Sequence, residues 1–388
     1  MSGLLAPYNG DIGLVDFATK YKVYEFYGQT KNDVLGGGRS SFNFPSVQKD
    51  SLKKAVREMH DNDLKFNYTV NSMSFANKEF DREVQKRIFC HFNFLKNLEV
   101  DSITIANPML MLFVKDNFPD FKICASVVLD ITSLEEARFY KSLGVDRIIL
   151  SKNLNKNYKR IREISENLNV EIQLVVNDPC LHQCPIRNYH NLTTSFSSMG
   201  IVNSSEYLSF CTLMCRKRML ENPEEIAKAS WIRPEDMQIY RNAGVNSFKL
   251  VDRKESTYWI KRAIKAYSGE SYDGNLADLC SYFSPVKGNG EKENNHLILM
   301  QDSDAKFSSF EQNKNNLRFK PFIDNKKLGK YSKAMIFAEC EQKSCSDCGL
   351  CREAAENTIS IESTQKEKVL HNILLISKNL GSTEFWGH

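Results

Sequence analysis

The sequence predicts an α/β fold: a (β/α)8 TIM-type barrel followed by a small C-terminal cysteine-rich extension. From Lys22 to about Tyr272, short β-rich apolar runs alternate with longer helical patterns, as repeated strand–helix units around a parallel sheet do. Eight such units fill this stretch, close to the length of about 250 residues that a (β/α)8 barrel takes. After Phe283 the composition turns polar and the period is lost. A doubly wound open sheet, the competing arrangement, uses five or six strands and would have to discard the fifth and seventh of those predicted.

In chain order the predicted strands are Lys22 to Gly28, Lys65 to Asn71, Ser102 to Asn107, Lys122 to Val128, Arg147 to Ser151, Glu171 to Asn177, a short Ser230 to Arg233, and Asn246 to Asp252. Each is rich in β-branched and aromatic residues. Between them, Ser51 to His60, Glu79 to Leu98 and Ser133 to Leu143 repeat apolar residues every three to four positions, the period of an amphipathic helix. Ser133 with Glu136 forms a capping box, and Gly144 stops that helix. Pro234-Glu235-Asp236 opens another, which Gly244 closes. Lys287 to Asn295 is polar and Gly/Asn-rich and reads as a linker. Leu297 to Phe337 mixes short apolar runs with Asn and Lys clusters, a small strand-containing extension. A helix is predicted over Val369 to Asn379, ahead of the terminal Trp386-Gly387-His388. Three segments result: the barrel over 1–285, a linker and small extension over 286–335, and a cysteine-rich segment with its terminal helix over 336–388.

Hydrophobic residues at 41% and charged residues at 26% are globular values. A net charge of +4 over 388 residues does not by itself indicate nucleic acid. No apolar run suits a secretory signal or a membrane span, so a cytoplasmic protein without a membrane span is expected. In a reducing compartment, a cysteine-dense chain reads as metal-binding or catalytic.

Eight of the 11 cysteines fall into two groups with metal-ligand spacing. Cys180 and Cys184, then Cys211 and Cys215, form two C-x3-C pairs. Cys180 lies just past a predicted strand end, at the barrel face where active sites sit. Four thiolates there suit a [4Fe-4S] cluster, with a tetrahedral zinc staple as the structural alternative. A radical enzyme of the S-adenosylmethionine type would need a third cysteine three positions after Cys184, where the chain has Arg187. The second group, Cys340, Cys345, Cys348 and Cys351, suits either a second iron-sulfur cluster or zinc. Cys90, Cys124 and Cys280 have apolar neighbours and read as core residues.

Other candidates come from strand ends. The loop Gly36-Gly37-Gly38-Arg39-Ser40 offers backbone amides and a guanidinium to a carboxylate or phosphate, with a mobile loop as the plain alternative. Asn71, Asn107, Ser126 and Asn177 stand at or near strand ends, although Asn107 before Pro108 equally suits a helix N-cap. Arg233, Asp236 and Arg253 close later units. Lys249 lies inside an apolar strand, where a buried ammonium is costly without a partner or a task. His182, between two cysteines, is a candidate proton donor or a neighbour of the metal. No Ser-His-Asp order, HExxH, P-loop or GxGxxG is present.

On Asn177-Asp178-Pro179-Cys180-x3-Cys184-Pro185 with Cys211-x3-Cys215-Arg216, the chain resembles the collagenase-like peptidase family of unknown catalytic type. The likeness extends through Gly28-Gln29, Gly36 to Arg39, Val100 to Thr104, Gly144 to Leu150 and Ser230 to Asp236, about residues 20 to 285. The resemblance implies a (β/α)8-type barrel carrying four cysteines that in several members hold a [4Fe-4S] cluster. It also implies kinship with oxygen-independent hydroxylases of ubiquinone precursors and of tRNA and ribosomal RNA bases, for which prephenate serves as an oxygen donor. The first two cysteines are closer together here than in the RNA-modifying members, which leaves a small molecule, a peptide and RNA open as substrates. The expectation is an iron-sulfur enzyme that hydroxylates a substrate at the barrel mouth. The alternatives are a peptidase and a non-enzymatic, metal-stapled binding protein. Gly37, Gly38, Arg39, Asn71, Asn107, Ser126, Asn177 and Arg253 are the candidate substrate-binding residues, and Lys249, Arg233, Asp236 and His182 the catalytic candidates.

Overall fold

Eight parallel strands close into one barrel in a computed structural model that describes residues 3–30, 33–39, 47–199, 207–208, 210–283, 298–299, 317–338, 340, 342 and 344–383. They are β1 (Gly3–Pro7), β2 (Val23–Gly28), β3 (Lys65–Val70), β4 (Ser102–Ile105), β5 (Lys122–Ala125), β6 (Arg147–Ile149), β7 (Glu171–Val175) and β8 (Ser247–Lys249). The ring closes where β8 pairs with both β7 and β1, with Phe248 opposite Leu174 and Leu4. The (β/α)8 expectation therefore holds, with two corrections to the strand assignment.

The first strand is Gly3–Pro7, not Lys22 to Gly28, which is the second. Five residues at a chain end carry too little period to read as a barrel strand, yet Leu4, Leu5 and Ala6 are buried against neighbours on both sides. The predicted strand Ser230 to Arg233 has no place in the ring. Its backbone is extended, and Ile232 N–H donates to Val176 O at 2.7 Å, but β7 and β8 pair directly beneath it. Trp231 and Ile232 are apolar because they fill the core, and burial without pairing imitates a strand in the sequence.

The helices follow their predicted stripes. Over Lys49–Asp61 the buried residues are Leu52, Ala55, Val56 and Met59, one face at helical spacing. Asp81 caps the helix Arg82–Asn97 by accepting from the N–H groups of Glu83 and Val84. The Ser133–Glu136 capping box is present, and Gly144 follows with φ +86°. Cys124 and Cys280 are buried as expected, but Cys90 is exposed on the outer face of its helix. Beyond the barrel, Phe322–Ile323 pairs antiparallel with Ile359–Ser360, and helices run over Asn325–Ile336, Leu350–Thr358 and Ser363–Leu380. The predicted linker Lys287 to Asn295 and the terminal Trp386-Gly387-His388 lie outside the described residues. No helix among the described residues is long and apolar enough to cross a membrane.

The lower barrel interior is polar. Arg147 on β6 forms ion pairs with Glu25 on β2 and, at 2.8 Å, with Glu171 on β7. Glu25 also accepts from Ser102 Oγ at 2.6 Å, and Asn67 donates to the same serine. Removing one partner of a buried pair strands the other charge. Glu25→Leu is expected to lower stability by about 3 kcal/mol, since Arg147 keeps Glu171. A fall in the guanidinium midpoint with unchanged slope checks this, and a midpoint within error of wild type would refute it.

Candidate functional site

The parallel strands all point their C-terminal ends at one mouth, and a cavity of about 230 Å³ opens there. The loop after β2 contributes Arg39, the position just past β3 contributes Asn71, and the turn after β6 contributes Lys152. The loop after β7 contributes Asp178, Cys180 and Cys184, and β8 with its following turn brings Lys249, Arg253 and Lys254. Arg187, Arg216 and Arg318 complete the lining cations, so eight Lys and Arg side chains face one carboxylate. A wall of one sign surrounded by low-dielectric protein concentrates anions.

Several of these cations are held in place. Arg39 pairs with the buried Asp252 at 3.1 Å, and Lys152 Nζ lies 2.8 Å from both Asp178 Oδ2 and Cys180 Sγ. Burial alone would raise the Asp178 carboxyl, but Lys152, Arg39 and Arg187 hold it down to about 2. Lys249 is only 6% exposed, its ammonium 4.1 Å from the centre of the Tyr27 ring, with no carboxylate at ion-pair distance among the described residues. Burial, seconded by Arg253 and Arg147, brings it down to about 7. Burial and the Lys152 and Arg39 charges bring His190 down to about 4, so its imidazole is neutral.

The four central cysteines meet at this mouth. Cys180, Cys184 and Cys215 line the cavity, and Cys211 is buried one helical turn before Cys215 on the helix Phe210–Glu221. The contact between Cys184 and Cys215 draws the first thiol down to about 6 and pushes the second up. Cys215 senses the charge of Cys180, Cys184 and Cys211 together. Among the described residues no three His, Cys, Asp or Glu side chains converge as ligands of a single ion. Three thiols on the cavity wall with Cys211 behind them, and Lys152 and Arg187 to offset thiolate charge, form a soft donor set of the kind that iron-sulfur clusters and zinc both take.

Of the residues predicted from sequence, Gly38, Arg39, Asn71, Lys249 and Arg253 line the mouth beside three of the four cysteines. The glycine-loop amides are not free for an anion, however: Gly37 N–H donates to Ser198 Oγ at 2.8 Å and Gly38 N–H to Asn71 Oδ1 at 2.9 Å. Gly36, with φ +60°, is needed because a Cβ there would meet Met199 and Ser198. Gly37 thus anchors the loop while Arg39 faces the cavity, and Ser40 lies outside the described residues. Asn107 is a helix N-cap, accepting from Leu110 N–H, and not part of the site. Ser126 accepts from Asn71 Nδ2 at 3.0 Å and so positions it. Asn177 is fully buried, tying Val251 and Leu279 to the end of β7.

Arg233 and Asp236 are also displaced from the expected role. Arg233 bonds Asn325 at 2.8 Å and pairs with Glu235 and Asp236, fastening the helix Asn325–Ile336 to the barrel. A charged pair at a strand-like end marks a docking point here because the C-terminal extension covers it. His182 turns away from the mouth and lines a second cavity with Cys340, Cys345, Cys348 and Cys351. Sequence reasoning did not single out Lys152, His190, Arg187 and Arg216 as site residues. For Lys152 the signal was present, a lysine directly after a strand end, whereas Arg187, His190 and Arg216 sit on helices that only folding brings inward.

A family model described as peptidase family U32 matches residues 34–273. An uncharacterized protease of Methanocaldococcus jannaschii is 26% identical over 330 residues, covering 85% of this chain and 87% of that protein. A tRNA hydroxylation protein of Haemophilus influenzae is 27% identical over 129 residues, covering 32% of this chain and 26% of that protein. Among solved structures, a U32 peptidase superimposes with a TM-score of 0.49 at 16% identity, over 65% of this chain and 93% of that one.

Proposed function

Since the chain belongs to peptidase family U32, we propose that it is an enzyme that binds an anionic substrate at the barrel mouth and hydroxylates it without molecular oxygen. Under this reading Cys180, Cys184, Cys211 and Cys215 hold a [4Fe-4S] cluster. The observation that carries it is the cavity itself, in which eight cations and one carboxylate surround three of four clustered thiols. The relative from Haemophilus influenzae, a tRNA hydroxylation protein, adds support from a different direction.

The cluster, when bound, supplies one-electron chemistry. The chain's own residues do the rest. Arg39, braced by Asp252, and Arg253, bonded to Gln29 Oε1 at 3.2 Å, present guanidinium groups to a carboxylate or phosphate. An oxygen donor such as prephenate, which bears two carboxylates, matches that pair. Lys152 keeps Asp178 ionised and screens Cys180. Lys249, brought down to about 7 by burial, holds or releases a proton at Nζ at working pH.

A histidine-assisted hydrolytic reading lacks its base: among the described residues neither the His182 nor the His190 imidazole hydrogen-bonds a serine, threonine or cysteine side chain, and Thr193 and Thr194 donate only to the His190 backbone carbonyl. The two are separated by anaerobic incubation of iron-loaded protein with prephenate and bulk tRNA, followed by mass spectrometry of the nucleosides. A product one oxygen heavier, dependent on prephenate, is expected. Peptide hydrolysis that survives removal of the iron, with no oxygenated product, would refute the proposal.

A further inference from the structure

The second cysteine group faces a cavity of about 470 Å³ between the helix Asn325–Ile336 and the helix Leu350–Thr358. Its wall includes all four of Cys340, Cys345, Cys348 and Cys351. A short helix, Cys345–Cys348, begins with Ser344 accepting from Asp347 N–H and ends at Gly349 with φ +62°. The space around Gly349 is open, so it is the left-handed backbone that calls for glycine. That break lets Cys351, in the next helix, face the same cavity as Cys345 and Cys348. Three of these thiols are exposed and the fourth half-buried, an arrangement no packing requirement explains.

The independent observation is Lys156. It lines the same cavity and is 7% exposed, with its ammonium 3.5 Å from the Trp231 ring centre and donating to Trp231 O at 3.3 Å. No carboxylate lies at ion-pair distance from it among the described residues, whereas Lys228 and Arg352 on the same wall both pair with Glu224. A buried cation without an anion is expensive unless an anionic group occupies the space it faces. Tetrathiolate metal centres supply such charge. A lone zinc, bound about 2.3 Å from each sulfur, would fill little of this cavity, whereas a four-iron cluster is of a size to occupy it.

We propose that Cys340, Cys345, Cys348 and Cys351 ligate a second iron-sulfur cluster of the [4Fe-4S] type, with Lys156 as its buried counter-charge. The cluster stands apart from the mouth, behind the turn whose Cys180 and Cys184 face one cavity while His182 and Gln183 face the other.

The test is iron, zinc and labile-sulfide analysis after anaerobic reconstitution of the full chain. The variant Cys184→Ser/Cys215→Ser is expected to keep about four iron and four sulfide per chain at the second site. One zinc without sulfide, or no metal, in that folded variant overturns the proposal. If circular dichroism shows that variant unfolded, the reciprocal Cys345→Ser/Cys348→Ser chain decides: losing about four iron relative to wild type supports the second cluster, and equal iron overturns it. Iron retained in that reciprocal chain belongs to the mouth, so failure of the mouth reading is read separately. Lys156→Met in the mouth variant should move the cluster's midpoint potential to a more negative value, because loss of a positive charge favours the oxidised form. An unchanged potential overturns the role given to Lys156.

Discussion

Cys211→Ser is expected to remove about four iron and four sulfide from the reconstituted protein and to reduce product formation to background, with the far-UV circular dichroism unchanged. This substitution separates ligand from wall. Cys211 does not line the mouth cavity and is 2% exposed, so a substrate in that cavity does not touch it. Serine is close to isosteric, and burial holds the Cys211 thiol at about 11, so without a metal this cysteine has no ionised role to lose. Its only route to the chemistry is coordination from the first turn of the helix Phe210–Glu221, in register with Cys215. Full iron content and full activity in Cys211→Ser would defeat the assignment of the four thiols to one cluster.

Lys249→Met is expected to do two opposite things: abolish activity and raise stability at low pH. The folded protein holds this lysine at about 7 against an ordinary 10.5, first by burial and then by Arg253 and Arg147, with Cys124 and Glu25 opposing. The unfolded chain therefore binds the extra proton between those values, so stability rises with pH across the window from about 7 to about 10.5. Below it the buried charge costs at most on the order of 5 kcal/mol, an upper bound because water penetration relieves part of it. Guanidinium unfolding at about pH 6 should show Lys249→Met more stable than wild type by a few kcal/mol, with the difference shrinking toward about pH 10. The pH–rate profile of wild type should contain an ionisation near 7 that the variant lacks. Equal stability at both pH values would mean that Lys249 is solvated in solution and its proton unavailable for the role proposed.

These two residues also show what can be read in advance. Lys249 stood out because an ammonium in an apolar strand is anomalous, and that anomaly survives folding: the residue faces the barrel interior over Tyr27. The cysteines stood out by spacing alone. Arg233 and Asp236 stood out by the same strand-end logic and were misleading, because the helix Asn325–Ile336 covers them and turns them into a docking pair. Nothing in their own neighbourhood announces a partner about ninety positions later in the chain. Asn177 and Asn107 failed for a related reason, since an amide beside a strand end satisfies backbone groups as readily as it meets a ligand.

The amino-acid sequence by itself determined the barrel, the two cysteine groups and the buried lysine, because these rest on local periods, local spacing and the cost of one misplaced charge. The tertiary structure alone decided where the ring closes, which strand-like run is merely buried, and which charged side chains share a cavity. Those are pairings between residues far apart in the chain: Gly3–Pro7 with Ser247–Lys249, Arg233 with Asn325, and Lys156 with the four cysteines beyond it. Spacing along a chain carries no information about such neighbours until the hydrophobic core has brought them together.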